Sequence, residues 1–307
     1  MKKGISTIIC TYNRRQYIVQ CLNSIAAQTL DKNLYELIVV DNNSTDDTPQ
    51  LVKKFAADNP NVPLKYVVET EQGLSAARNR GIKEAQFDIV NYTDDDAVMT
   101  PQYLETLFNY MSQHPDVMGM GGKIIAHYEN KRPNWMSYYL EGTVGATHEG
   151  EEIKQMKKGS YPPGNNMTYR KEVFERYGYF DNSIGPNGNQ LLRCDEKDIA
   201  QAIQQHKEKI VYHPQALIYH YVPDSRLTPD YFRRQSAGLG ISESRRLRKY
   251  GIWTWIRGLV SYKIKLGASA VLALKYLIAE ANPAKAKMIA LFRFYAFLGY
   301  LGMMNKA

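Results

Sequence analysis

Blocks of apolar residues change period in an ordered way along the first third of the chain. Gly4–Thr11 (GISTIICT) is a nearly continuous β-branched run and predicts a buried strand. Arg14–Gln28 then sets Tyr17, Ile18, Cys21, Leu22 and Ile25 at helical spacing. Tyr35–Val40 predicts a second strand, stopping at Asp41, and residues 42–47 are turn chemistry. Thr48–Asp58 predicts a helix, Leu64–Val68 a short strand, Leu74–Ala85 a helix, and Phe87–Tyr92 a fourth strand. Pro101 suits the first turn of a helix over Pro101–His114. Strands alternating with helices predict an α/β domain built on a mostly parallel sheet covered by helices.

Beyond residue 117 the pattern weakens. Met118–Ile125 predicts a glycine-rich strand, and residues 127–160 an irregular excursion holding Trp135, Tyr138 and Tyr139. Order resumes at Tyr161–Arg170, with a short helix at Lys171–Tyr177, a Gly/Asn-rich loop over 182–193 and a helix at Asp195–His206. Lys209–Tyr212 and Ala216–Tyr221 predict two further strands, and the chain after Pro229 reads as helical. The expected organisation is a catalytic domain over 1–225, with halves 1–100 and 101–225, followed by a basic, apolar helical region over 226–307.

Charge changes the picture in the last quarter only. The chain of 307 residues carries a net charge of +8. Residues 226–307 hold 15 Lys and Arg against 3 Asp and Glu, so the remainder is net negative. That asymmetry predicts an anionic partner for the C-terminal region. Cys10, Cys21 and Cys194 form neither a disulfide framework nor a metal signature, which fits a reducing compartment. The first apolar run is too short for a signal-peptide core, so no export is expected, and the sequons at Asn42 and Asn166 would carry no glycan.

The candidate chemistry lies where strands end. Thr11-Tyr12-Asn13, Asp41-Asn42-Asn43 and Asp94-Asp95-Asp96 each follow a predicted strand, and a parallel sheet gathers such ends on one edge, where ligands bind. The turn Thr11–Arg15 has no glycine for a dinucleotide pyrophosphate, and no GxxxxGK[ST] phosphate loop exists. A dehydrogenase or phosphate-loop kinase is therefore disfavoured. A diphosphate held without a glycine cradle calls for a divalent cation with oxygen ligands, and Asp94 and Asp96 supply them. Alone, such a run of aspartates is a solvated turn. Its position after an apolar strand, in line with Asp41, favours a ligand site.

STIICTYNR, LIVVDNNSTDDT, GLSAARNRGI and the strand-end DDD, followed by PPGNNMTYR, GYFD, an acidic pair before a helix and YHPQALIYH, resemble the inverting family 2 glycosyltransferases. The resemblance runs from about Gly4 to Tyr221. It implies a GT-A-type, Rossmann-like fold and transfer of a hexosyl or N-acetylhexosaminyl group from a nucleotide-diphosphate sugar, with a UDP-sugar expected. It implies that Thr11, Tyr12 and Asp41 hold the base, that Arg78 lies near the nucleotide, and that Asp94 and Asp95 face ribose and diphosphate. It further implies a Mn²⁺ or Mg²⁺ ion on Asp96, Asp94 and His220, with Asn166 and Trp135 at the sugar and acceptor. The general base falls on Glu196, with Asp195 as the alternative, because the order of this acidic pair is swapped relative to the family's usual Glu-Asp. Helix capping would equally explain an acidic pair there. Two rivals stand beside this reading: a sugar nucleotidyltransferase, which would want a glycine-rich first loop, and a nucleotide-sugar-binding module without turnover.

In the C-terminal region the uncharged runs Leu266–Leu274 and Phe294–Met304 are too short to span a bilayer, which takes about 20 apolar residues. Basic helices bearing Trp and Phe suit a membrane surface, with Trp253, Trp255, Lys263 and Lys265 as expected anchors. The expected partners are thus a nucleotide sugar, a glycan or lipid-linked acceptor and, through 249–307, the cytoplasmic membrane face. Nucleic acid is not among them.

Overall fold

The computed structural model describes residues 2–183 and 195–304, which form two compact units. Among the described residues the first unit holds 2–125, 145–182 and 195–221, and the second holds 126–144, Ser183 and 222–304. The division therefore does not fall at residue 225 alone, because the segment 126–144 packs with the helical unit.

The first unit is built on the sheet. Strands β1 (Lys2–Thr11), β2 (Tyr35–Asp41), β3 (Leu64–Val68) and β4 (Phe87–Asp94) pair in parallel around β1. Beyond β4 come β5 (Ala97–Met99), β6 (Val117–Tyr128), β7 (Lys154–Gln155), β8 (Asn166–Arg170) and β9 (Lys209–Val222). The sheet has nine strands in the order β3-β2-β1-β4-β8-β6-β9-β5, with β7 beside β9. The pairs β4–β8, β6–β8, β5–β9 and β7–β9 are antiparallel, so the sheet is mixed, where the sequence predicts a mostly parallel one. The alternation of strand and helix that signals parallel pairing stops after β4, and the remaining strands pair over long sequence separations.

Alternate residues of β1 and β2 point to opposite faces, as the pleat requires. Ile5, Ile9, Leu37 and Val39 pack on one face against α1 (Ile18–Ala26), α2 (Thr48–Asp58) and α4 (Tyr103–Gln113). Ile8, Ile38 and Val40 pack on the other against α3 (Leu74–Glu84), α5 (Glu172–Tyr177) and α6 (Asp195–Gln205). The expected helices thus form a three-layer α/β arrangement. The two strands expected at 209–212 and 216–221 are one continuous strand. Pro214 reads as a break because it donates no ladder hydrogen bond, yet the strand runs through it, and the Gln215 amide hydrogen bonds the His213 ring at 3.3 Å.

The second unit consists of α7 (Pro229–Lys249), α8 (Ile252–Ile278) and α9 (Pro283–Leu301) with the segment 126–144. Met136, Leu140, Phe232, Ile289 and Phe292 form its core. Trp135 packs edge-on against Phe232, with ring centroids 5.5 Å apart. No helix of the described residues is long and apolar enough to cross a membrane.

Asn166 braces the middle of the sheet. It is fully buried, accepts from the Tyr103 hydroxyl (2.7 Å), and donates to the Ala216 (3.0 Å) and Lys123 (3.3 Å) carbonyls. Gly122 makes room for this contact: a Cβ there would lie 1.8 Å from the Ala216 oxygen and 2.5 Å from the Asn166 amide nitrogen. Gly122→Ala is expected to cost about 1–3 kcal/mol of unfolding free energy by overpacking, read from the urea midpoint of the purified protein.

Candidate functional site

The backbone ladder assembles the site before any side chain is considered. Parallel register sets Thr11 opposite Asp41 and Cys10 opposite Asp94, so three strand ends share one edge. After β4 the chain turns through Asp95 and Asp96 into β5, whose Ala97 lies opposite His220 of antiparallel β9. The Tyr221 amide donates to the Asp96 carbonyl at 2.9 Å. Those two pairings carry the His220 Nε2 to 3.2 Å from Asp96 Oδ1. Asp94, Asp96 and His220 can each present one ligand atom within 4.8 Å of the others. Two carboxylate oxygens and an imidazole nitrogen suit Mn²⁺ well and Mg²⁺ through the carboxylates.

The electrostatics are those of a site built for positive charge. Asp95 and Asp96 are each only 5% exposed. The Asp95 carboxyl stands at about 7: burial raises it most, Arg14 lowers it, Asp96 raises it, the Thr11 hydroxyl lowers it and Asp94 raises it. Arg14 reaches Asp95 with Nε at 3.7 Å from Oδ1. The Cys21 thiol contacts the Asp94 carbonyl (3.5 Å), and burial, followed by the three neighbouring carboxylates, holds it protonated. A thiolate would only add to the negative charge.

Beside the carboxylates, side chains lock the loops that follow β1 and β2. Asn13 is left-handed (φ 54°), and its Oδ1 accepts from the Thr45 (2.8 Å) and Asp46 (3.3 Å) amides. Its own amide donates to Ser44 Oγ (2.9 Å), and the Arg14 amide to Thr48 Oγ1 (2.9 Å). Asp41 is buried and accepts from the Tyr66 hydroxyl (2.6 Å) and the Ser44 amide (2.9 Å). Burial and then that carboxylate raise the Tyr66 phenol, so it stays a donor. Asn42 is buried too, donating to the Glu69 and Glu71 carbonyls and accepting from the Gly73 amide. Tyr12 is exposed beside this wall.

The expected site residues therefore divide. Thr11, Asp41, Asp94, Asp95, Asp96 and His220 are assembled on one edge. Arg78 is buried over the Phe180 ring (5.4 Å) with Nη2 3.4 Å from the Gly164 carbonyl, where a Cβ on Gly164 would collide with it. Asn166 does not line a sugar site as expected, because both ends of its amide are committed inside the sheet. The neighbouring Asn165 does approach the cluster: a Cβ at Gly145 would lie 2.7 Å from Asn165 Nδ2 and 3.3 Å from His220 Nδ1. Side-chain parity at the start of β8 separates the two asparagines, and the NN pair alone does not reveal it. Trp135 is half-buried and packs against the core of the second unit. Sequence reasoning also missed Arg14 and Tyr66.

Glu196 and Asp195 open α6. Cys194 and the Asp195 side chain lie outside the described residues. Glu196 is half-buried, one turn before Ile199 and on the helix face that continues through Ile203 into the core.

The model of the family described as glycosyl transferase family 2 matches residues 6–178. A glucosyl-dolichyl phosphate glucuronosyltransferase of Haloferax volcanii is 25% identical over 244 residues, 78% of this chain and 76% of that protein. Glycosyltransferase AglE of the same organism is 30% identical over 189 residues, 60% of this chain and 58% of that protein. Among solved structures, a mannosyltransferase of Pyrobaculum calidifontis in complex with GDP-Man and Mn²⁺ superposes with a TM-score of 0.67 at 20% identity, over 98% of this chain and 88% of that one. TarS of S. aureus in complex with UDP-GlcNAc gives 0.56 at 19% identity, over 97% and 92%. At these identities the structural likeness establishes the fold, which is that of the GT-A glycosyltransferases.

The Asn13 lock is testable by stability alone. Asn13→Ala is expected to cost about 1–2 kcal/mol, since alanine resists the left-handed conformation and the two amides lose their acceptor. Asn13→Gly should recover the backbone share. Urea unfolding of both variants separates the two contributions.

Proposed function

This chain belongs to glycosyl transferase family 2, and from that premise we propose that it transfers a sugar from a nucleoside diphosphate sugar to a glycan or lipid-linked acceptor by a cation-dependent, inverting displacement. The observation that carries the reading is the Asp94–Asp96–His220 cluster, on the same sheet edge as Thr11 and Asp41. The names of the relatives support the donor class, since GDP-Man and UDP-GlcNAc are both nucleoside diphosphate sugars.

In this reading Thr11, Tyr12 and Asp41 hold the base, with Tyr66 and the Ser44 amide fixing the Asp41 carboxylate. Asp94 and Asp95 face ribose and diphosphate, and Arg78 lies near the nucleotide. Asp96, His220 and Asp94 hold Mn²⁺ or Mg²⁺, which when bound offsets the charge of the departing diphosphate. Glu196 takes the proton of the acceptor hydroxyl. The acceptor oxygen then forms its bond to the anomeric carbon from the face opposite the leaving group. The electron pair of the broken C–O bond departs with the nucleoside diphosphate, and the configuration inverts. Asp195 is the alternative base. A UDP-sugar is the expected donor, and an acceptor on a lipid would place the enzyme at the cytoplasmic membrane face.

The first test is release of nucleoside diphosphate across a panel of nucleotide sugars, with Mn²⁺ or Mg²⁺ and with EDTA. Release from one donor, abolished by EDTA and by Asp96→Ala, is expected. Where no donor turns over, titration calorimetry decides: cation-dependent nucleotide binding leaves transfer awaiting its acceptor, and absence of binding overturns the reading. Once turnover is measured, Glu196→Gln should lower kcat by roughly 10²–10⁴-fold with donor affinity unchanged. An equal loss in Asp195→Asn alone would move the base to Asp195.

A further inference from the structure

The longest helix of the second unit packs one face, with Trp255, Leu259, Leu272 and Tyr276 half-buried against the unit, and leaves the other open. Helix α8 buries only Tyr262 and Ser269, seven residues apart on one face. On the opposite face Trp253, Val260, Ile264, Val271, Leu274 and Ile278 recur at helical spacing, each between 51% and 74% exposed. A 27-residue helix is about 40 Å long, so the stripe is far more than a scattering of single exposed residues.

Charge identifies what the stripe meets. Helix α8 contains four cations, Arg257, Lys263, Lys265 and Lys275, and no acid. At 3.6 residues per turn Arg257 and Lys275 fall along one border of the stripe and Lys263 along the other. The acids of the C-terminal quarter are engaged elsewhere: Asp230 by Arg233, Glu243 by Arg246 and Glu280 by Lys285. An apolar stripe bordered by long basic side chains matches an interface in which methylenes and an indole enter the acyl boundary while ammonium and guanidinium groups remain among anionic headgroups. A second copy fits worse, because a two-fold contact on this face would set the same cations against one another with no acid on the helix to answer them.

We infer that the solvent-facing stripe of α8 lies in the surface of an anionic lipid bilayer, parallel to its plane, with Trp253 as its aromatic anchor. The sequence-based anchors change accordingly. Trp255 is not one: its Nε1 donates to Ser244 Oγ (2.8 Å) and its ring stacks on Tyr300 inside the unit. Lys265 leans over the Tyr262 ring (5.6 Å), on the inward side. This inference deepens the membrane-face reading above and rests on it only for its purpose. Vesicle binding needs neither donor nor cation, so the two fail separately.

The test is co-flotation of the full chain with vesicles of phosphatidylglycerol and phosphatidylcholine, against phosphatidylcholine alone. Binding to the anionic vesicles is expected, with a blue shift of tryptophan emission that Trp253→Phe removes. The double variant Ile264→Ser/Val271→Ser should bind about tenfold or more weakly. Arg257→Gln and Lys275→Gln should each weaken binding about fivefold. All four positions are exposed, so circular dichroism and melting temperature should match the parent. Failure to float with anionic vesicles, or binding that the double variant leaves intact, overturns the inference. A dimer seen by light scattering that the double variant dissolves would assign the stripe to a second copy instead.

Discussion

Three adjacent carboxylates at the end of a central strand are the constraint around which the first unit is organised. Repulsion among them, and burial of two, disfavours the charged state. Arg14 stands at salt-bridge distance from Asp95 and His220 at 3.2 Å from Asp96, while Cys21 and Thr11 contribute neutral groups. Burial and the two neighbouring carboxylates hold Asp95 up at about 7, against the pull of Arg14 and the Thr11 hydroxyl. Folding energy from two apolar layers thus holds together charges that would otherwise move into water.

The mixed sheet explains how that ligand set is assembled. Its parallel half delivers Thr11, Asp41 and Asp94 in register, because strands fed by crossover helices present their carboxyl ends together. Its antiparallel half delivers His220, through a three-strand-residue contact in which β5 pairs with β9 immediately after the aspartates. Neither half alone holds Asp94, Asp96 and His220 together. The loops between them are held by side chains rather than by sheet: Asn13 spans to Thr45 and Asp46, and Asn42 to Glu69, Glu71 and Gly73. Such hydrogen bonds tie the two loops together while leaving Tyr12 open to solvent.

The parts legible in the sequence are those fixed by local periodicity. Strands and helices through α4, and the polar residues at the ends of β1, β2 and β4, follow from spacing alone, and the motifs gave those ends a purpose. What the sequence concealed depends on distant partners. Antiparallel pairing of β4 with β8 joins residues some 75 apart in the chain, as in Thr93 with Asn166, and no local pattern announces it. Side-chain parity decided that Asn166 braces the sheet while Asn165 approaches His220. Packing of Trp135 against Phe232 within the second unit was equally hidden. Pro214 looked like a strand end, yet β9 continues through it.

The helical unit poses the same problem in another form, because hydrophobicity along α8 and α9 is similar and only burial distinguishes them. Helix α9 buries Ala286, Ile289, Phe292, Ala296 and Tyr300, and close approach draws it onto α7: a Cβ on Gly240 would lie 1.9 Å from the Ala296 oxygen, and one on Gly299 2.2 Å from the Ala237 oxygen. That contact leaves α8 as the third helix, attached through Tyr262, which packs on Tyr300 with centroids 4.6 Å apart. Helix α8 buries only two of its 27 residues, and the half-buried Trp255, Leu259, Leu272 and Tyr276 make up the rest of its packing on the unit. Its apolar positions are nevertheless in step over the whole length, which accidental exposure would not produce, and its charge is of one sign. Internal packing would demand the first property without the second, and solubility alone would demand neither. A partner that is apolar in depth and anionic at its surface demands both.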